Sequence, residues 1–196
     1  VQAALVKVGE ASAVVYKNIA VFPKDWDLTL TETRTISCVV GGIAQTASYH
    51  VSGTAKQHVV LDDDGNVHEK ELEISQPNYD FHPTGCGSFA GCSLTATDAP
   101  SGLSISKVTG RIFNRSLLSP VVTYYKIGEP PLHVHCDTNP PFDKDISGIA
   151  GQKETTDTLF IEAKGTDPPV TVDASSPGDD HKFIWSFKPR DDGSCP

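Results

Sequence analysis

Nearly every stretch of this chain that could form regular structure is a short run of β-branched and aromatic residues closed off by a turn cluster. Such runs suit a pleated, half-buried surface. They are Ala13–Phe22, Arg34–Val40, Ala44–Val51, Gln57–Leu61, Asn66–Ile74, Ser93–Thr97, Leu103–Val108, Leu118–Ile127, Leu132–Asp137, Thr158–Ala163, Val170–Asp173 and Lys182–Phe187. Gly41-Gly42, Asp98–Gly102, Thr166–Pro169 and Ser175–Gly178 punctuate them. Heptads, internal repeats and low-complexity tracts are absent, and the one helix-compatible stretch, Asp143–Lys153, is weakened by two glycines. The pattern predicts an all-β, mostly antiparallel β-sandwich, immunoglobulin-like or jelly-roll-like, with little or no helix.

One hairpin can be placed from sequence. His58–Leu61 and Val67–Ile74 flank Asp62-Asp63-Asp64-Gly65-Asn66, whose Asp-Gly pair supplies the positive φ of a primed turn. Aligned on a calcium helix–loop–helix with Gly65 as its glycine, Asp62, Asp64 and Glu71 fall on ligand positions. The first ligand position is Val60, however, and no helix flanks the loop, so an acidic hairpin tip is expected. A break at the Pro100/Gly102 turn would leave two small sandwiches, 1–100 and 101–196. A single domain over 1–196 is preferred, because the first half has no strand Trp between spaced cysteines and Cys38 finds its best partner in the second half.

The 16 Lys and Arg residues against 25 Asp and Glu give a net charge of -9, spread over both halves. Such a chain repels phosphate backbones and anionic headgroups, so nucleic acid is not an expected partner. No apolar run reaches the length of about 18 residues that a spanning helix needs, so membrane insertion is not expected either. The chain begins at Val1 and contains no methionine, from which a removed leader is expected.

Five cysteines, at 38, 86, 92, 136 and 195, and the sequon Asn114-Arg115-Ser116 point to an oxidising, secreted or extracellular location, with Asn114 as the glycan acceptor. Gly87 and Gly91 make a short flexible loop, from which a Cys86–Cys92 disulfide is expected. Cys38 and Cys136 both lie in strand-like runs and form the expected second pair. The odd cysteine either stays free or links two chains into an oligomer.

No phosphate-cradling loop, dinucleotide fingerprint, zinc-protease motif or nucleophile elbow is present. The densest chemistry is Leu132-His133-Val134-His135-Cys136-Asp137. On a strand, His133, His135 and Asp137 share a face, and two imidazoles with a carboxylate suit copper, zinc or iron. The order His135, Asp137, His181, Arg190 resembles the metal triad and oxoacid-binding arginine of the iron- and 2-oxoglutarate-dependent oxygenases, which implies a jelly roll holding iron. Parity divides the set, since Leu132 and Val134 claim the core and leave the two histidines to solvent. His181 instead shares parity with the apolar Phe183, Trp185 and Phe187. Trp26, set among polar residues beside a turn, and one ring of Tyr124-Tyr125, Tyr125, are candidate contacts for a sugar or protein. The leading expectation is therefore an exported, disulfide-stabilised β-sandwich that binds a protein or glycan rather than catalysing a reaction, with no cofactor. A mononuclear metalloprotein or oxidase using His133, His135, Asp137 and His181 is the alternative.

Overall fold

A computed structural model describes residues 2–8, 11–17, 24–71, 79–100, 102–113, 117–148, 154–162 and 169–190. In chain order its strands are β1 (Gln2–Val8), β2 (Ala11–Lys17), β3 (Asp25–Ile36), β4 (Val39–Val40), β5 (Ile43–Ala44), β6 (Ala47–Leu61), β7 (Val67–Glu71), β8 (Thr84–Gly85) and β9 (Ser93–Ala96). The second half adds β10 (Ser104–Phe113), β11 (Leu117–Tyr125), β12 (Leu132–Cys136), β13 (Phe142–Ile146), β14 (Glu154–Thr158), β15 (Ile161–Glu162), β16 (Val170–Asp173) and β17 (Asp179–Pro189). A single 3-10 turn, Gly87–Phe89, is the only helical element among the described residues.

The main sheet runs β16-β17-β3-β6-β7, with β8 added at the start of β6. Its centre is built by strict alternation along β3. Trp26, Leu28, Leu30, Glu32 and Ile36 are buried, while Asp25, Asp27, Thr29, Thr31, Thr33 and Thr35 line the other face. Neighbouring strands keep the same parity. Thr31 pairs with Thr54 of β6 and with Ile184 of β17, so Val51, Ala55, Val59, Phe183, Trp185 and Phe187 join the inner face.

A second sheet, β10-β11-β14 with β15 also on β11, covers that face. Ile105, Val108, Val122, Tyr124, Leu159 and Ile161 complete one core cluster with it. The Tyr124 ring meets Phe183 and Trp185 edge-on, at centroid distances of 5.2 and 5.1 Å. A third, small sheet, β13-β12-β9, carries the His-x-His run. Every strand pairing among the described residues is antiparallel, and the two layers make an all-β sandwich. β1 and β2 pair with each other, Gln2 opposite Lys17.

Polar groups fasten the layers as well. Glu32 has no exposed surface, yet both its oxygens are used: Oε1 lies 2.7 Å from His181 Nε2, and Oε2 accepts a 2.8 Å hydrogen bond from the Ile127 backbone N–H. One row further on, Arg34 grips Asp179 with two donors, at 3.0 and 2.8 Å. Glu129 faces Arg34 at 3.5 Å and accepts a hydrogen bond from the Tyr49 hydroxyl. Burial, and then that bond, hold the Tyr49 phenol well above its usual pKa.

Three expectations are corrected here. The helix-compatible stretch Asp143–Lys153 opens as the edge strand β13, and its residues 149–153 lie outside the described residues. The expected strand Arg34–Val40 is instead the end of β3, a break at Ser37 and Cys38, and the start of a separate hairpin. Four cysteines do form two disulfides, but as Cys38–Cys86 and Cys92–Cys136. Register decides the pairing. Ser93 opposes His135, which sets Cys92 beside Cys136; the Cys86 N–H bonds Thr46 O and the Gln45 N–H bonds Cys38 O, which sets Cys86 beside Cys38. Cys195 lies outside the described residues.

Peptide mapping without reduction should recover the 38–86 and 92–136 links and no 86–92 link; an 86–92 peptide would refute the register given for β9 and β12. Replacing Cys92 and Cys136 together by Ser should lower the unfolding free energy by about 2–4 kcal/mol in urea titration. Glu32→Ala should cost about 3–5 kcal/mol, because it strands a buried imidazole and a backbone N–H, whereas Thr33→Ala on the outer face should change stability by less than about 0.5 kcal/mol.

Candidate functional site

The His-x-His strand owes its orientation to β12's alternation, in which Leu132, Val134 and Cys136 are buried and His133 and His135 face out. Pairing with β13 sets Asp145 opposite His133 and Asp143 opposite His135. Carboxylates then meet all four ring nitrogens. His133 Nδ1 is 2.7 Å from Asp145 and its Nε2 3.5 Å from Asp143. His135 Nδ1 is 2.7 Å from Asp143 and its Nε2 3.2 Å from Asp137. An imidazole offered acceptors at both nitrogens favours the doubly protonated form. Hydrogen bonding to Asp143, then to Asp137, accordingly raises the His135 pKa, and the bond to His135 lowers that of Asp143.

His181 does not belong to this cluster, which corrects the four-residue metal set. Its parity on β17 takes it into the core, where it meets Glu32 and the Phe183 ring, 4.6 Å away between centroids. Arg190 is engaged elsewhere, with Asp27 at 3.0 Å. The order that resembles an oxygenase triad is thus split between three places. Among the described residues no group of three or more His, Cys, Asp or Glu side chains is arranged to hold a metal ion.

Trp26 is likewise corrected as an exposed contact. It is fully buried on the inner face of β3, stacked on Phe187 at 5.1 Å. Its neighbours Asp25 and Asp27 point to the outer face, which is why the surrounding sequence reads as polar. Tyr125 is half-buried at the end of β11, opposite Ser104 and Glu154. Asn114 lies outside the described residues.

A different surface stands out at the disulfide-linked end. No Asp, Glu, Lys, Arg or His occurs from Thr35 to Tyr49 or from Pro83 to Thr97, and Cys38–Cys86 ties these two runs together. Within the first run, β4 and β5 form a hairpin whose turn residues Gly41 and Gly42 have φ of 55° and 84°, the left-handed values a two-residue primed turn requires. The hairpin base is seated on the 177–178 turn. The Ser37 N–H bonds Gly178 O, the Gly41 N–H bonds Pro177 O, and Ser37 Oγ donates to Val39 O. At Gly178 a Cβ would come within 2.0 Å of Val39 O, so only glycine allows this seat.

The hairpin presents apolar side chains to solvent, Val39 at 55% and Ile43 at 70% exposure. Phe142 is exposed too; it pairs with the disulfide-bonded Cys136 and stacks on Phe89 of the second run at 6.3 Å. Three of the four large hydrophobic side chains exposed among the described residues therefore cluster on the two disulfides; the fourth is Phe160. The two uncharged runs are visible in the sequence, but only the Cys38–Cys86 link makes one surface of them. At the opposite end of β12 an open cleft of about 720 Å³ is walled by Pro100, Pro130, Pro131 and Ile146 and rimmed by Asp98, Glu129 and Asp145.

The ion pairs on β12 and β13 have a defined pH window. Because the His135 pKa is raised, its contribution to stability is complete below the ordinary histidine value of 6.5 and is lost as pH rises through the raised value. The Asp143 pKa is lowered, so its contribution is present above the ordinary carboxylate value of 3.8 and is lost as pH falls through the lowered value. NMR titration of the ring protons should place His135 above a free histidine, and Asp143→Asn should return it toward 6.5; an unchanged midpoint would remove Asp143 as the cause. No family model, curated protein or solved structure matches the chain, so its function is read from these surfaces alone.

Proposed function

We propose that the protein is an exported, non-catalytic binding module that docks another protein through its disulfide-linked end. The observation that carries this reading is the pair Val39 and Ile43, exposed on an uncharged hairpin that the Cys38–Cys86 disulfide holds in place, with Phe142 exposed beside the second disulfide. Cores of protein interfaces are depleted in charge and enriched in apolar anchors. A monomer that gains nothing from such a patch pays to keep it in water. Fixing the hairpin before it meets its partner removes ordering entropy from the binding step. Disulfides persist in oxidising compartments, which supports an extracellular place of work. The four carboxylate contacts on His133 and His135 support a structural ion-pair cluster on β12 rather than a metal centre.

The test is affinity capture from the extracellular fraction of the source organism, followed by titration of the recovered protein. Val39→Asp/Ile43→Asp should weaken that partner by about tenfold or more, while the thermal midpoint stays within a few degrees of the parent. Capture that survives this change, or that moves only with substitutions at Phe160, would overturn the assignment.

A further inference from the structure

We propose a second binding site, for the anionic group of an acidic glycan, in a cleft on the outer face of the main sheet. The cleft measures about 450 Å³, and its lining includes Asp27, Thr29, Lys56, Gln57, Lys188 and Arg190. That volume is in the range of small-ligand sites. Its charge runs against the chain as a whole: three cations face one carboxylate, in a protein of net charge -9.

The strand register puts those cations there. Lys56 of β6 lies opposite Thr29 of β3, and Lys188 of β17 lies opposite Asp27, so the two lysines approach β3 from its two sides. Neither lysine forms an ion pair with any described residue, whereas Lys182, farther along the same face, is paired with Asp180 at 2.8 Å. Arg190 is held in position, with Nε 3.0 Å from Asp27 and one terminal nitrogen 3.5 Å from His58 Nδ1. His58 in turn lies 3.0 Å from Asp25. The arrangement is an oriented guanidinium that shares one cleft with two lysines and with Thr29 of the outer face.

The surroundings choose among anions. From the cleft the outer face continues through Thr31 and Thr54, whose hydroxyls lie 3.2 Å apart, to Thr33 and Ser52 in the next row. These are donors and acceptors for sugar hydroxyls. Nucleic acid is disfavoured, because the nearest indole, Trp26, is buried on the opposite face and offers bases no stacking platform. A sulfate or carboxylate carried on a sugar chain satisfies both the cations and the hydroxyl rows.

The experiment uses the full chain at physiological salt and three probes in calorimetric titration: a sulfated oligosaccharide, a uronate-containing oligosaccharide without sulfate, and single-stranded DNA of similar charge. The wild type should bind at least one of the two sugars and bind DNA more weakly; which sugar binds identifies the anion. Lys56→Gln/Lys188→Gln should weaken binding by about tenfold or more. Lys56→Arg/Lys188→Arg should retain most of it, and Lys182→Gln should change nothing. Val39→Asp/Ile43→Asp should leave sugar binding intact, which separates this site from the docking end. No binding by the wild type, equal or tighter binding of DNA, or indifference to the double Gln change would each overturn the proposal.

Discussion

The sandwich depends on a carboxyl group that never reaches water. Glu32 lies in the middle of an apolar face, and a polar group there is tolerated only when its bonding capacity is filled. Its two oxygens meet His181 of β17 and the N–H of Ile127, so one side chain joins the two central strands of the main sheet to the segment that leaves the second sheet. That segment needs such a partner. Pro130 and Pro131 carry no N–H and cannot donate to a ladder; Glu32, which accepts from the Ile127 N–H, and Pro131 O, which receives the Thr97 N–H, help to hold the passage from β11 to β12. Glu129, between Arg34 and Tyr49, is the second fastening. Aliphatic residues in this row would fill the same volume, yet nothing apolar would specify where the turn at 126–131 must sit.

The far end of the molecule is held by a different means. β4, β5 and β8 are two residues long each, too short for ladder hydrogen bonds to order them alone. The disulfides close loops of 48 and 44 residues, and so remove from the unfolded chain much of the freedom that these short strands would otherwise have to overcome. This is what lets Val39 and Ile43 stand out in solvent without collapsing onto the nearest apolar surface. Local order at this end is covalent first and hydrogen-bonded second.

What the sequence made legible follows from the range of the interaction concerned. The outward turn of His133 and His135 is a matter of parity within one strand, as is the inward turn of His181, and both can be read from neighbours two residues away. The Asp64-Gly65 turn is equally local, with Gly65 at φ 81° and Asp62 capping the loop through the N–H groups of Asp64 and Asn66. Trp26 defeated that reading because its strand carries Glu32 and Arg34 at inward positions and Asp25 and Asp27 at outward ones. The alternation is intact, but its apolar side is interrupted by the very residues that fasten the layers. The disulfide partners were not legible, since Cys92 is matched to Cys136 only by the register of two strands separated by most of the second sheet. Asp143, which meets both histidines, was hidden in a stretch that looked helix-compatible, and only its pairing opposite His135 discloses its role.

Charge is unevenly used on this frame, and salt decides which part of it a ligand feels. The carboxylates gathered around β12 and β13 add to a negative background that repels any anion approaching from a distance. At physiological ionic strength the Debye length is about 8 Å, so charges on the far side of a sheet contribute little at the outer-face cleft. Contacts between Lys56, Lys188 and a bound anion act well inside that distance. Low salt would therefore strengthen the contacts and the background repulsion together, and high salt would weaken both. A site of this kind works best at intermediate ionic strength, where the background is already screened and the local cations are not. Physiological ionic strength meets that condition, which makes the overall acidity of the chain compatible with a cationic cleft.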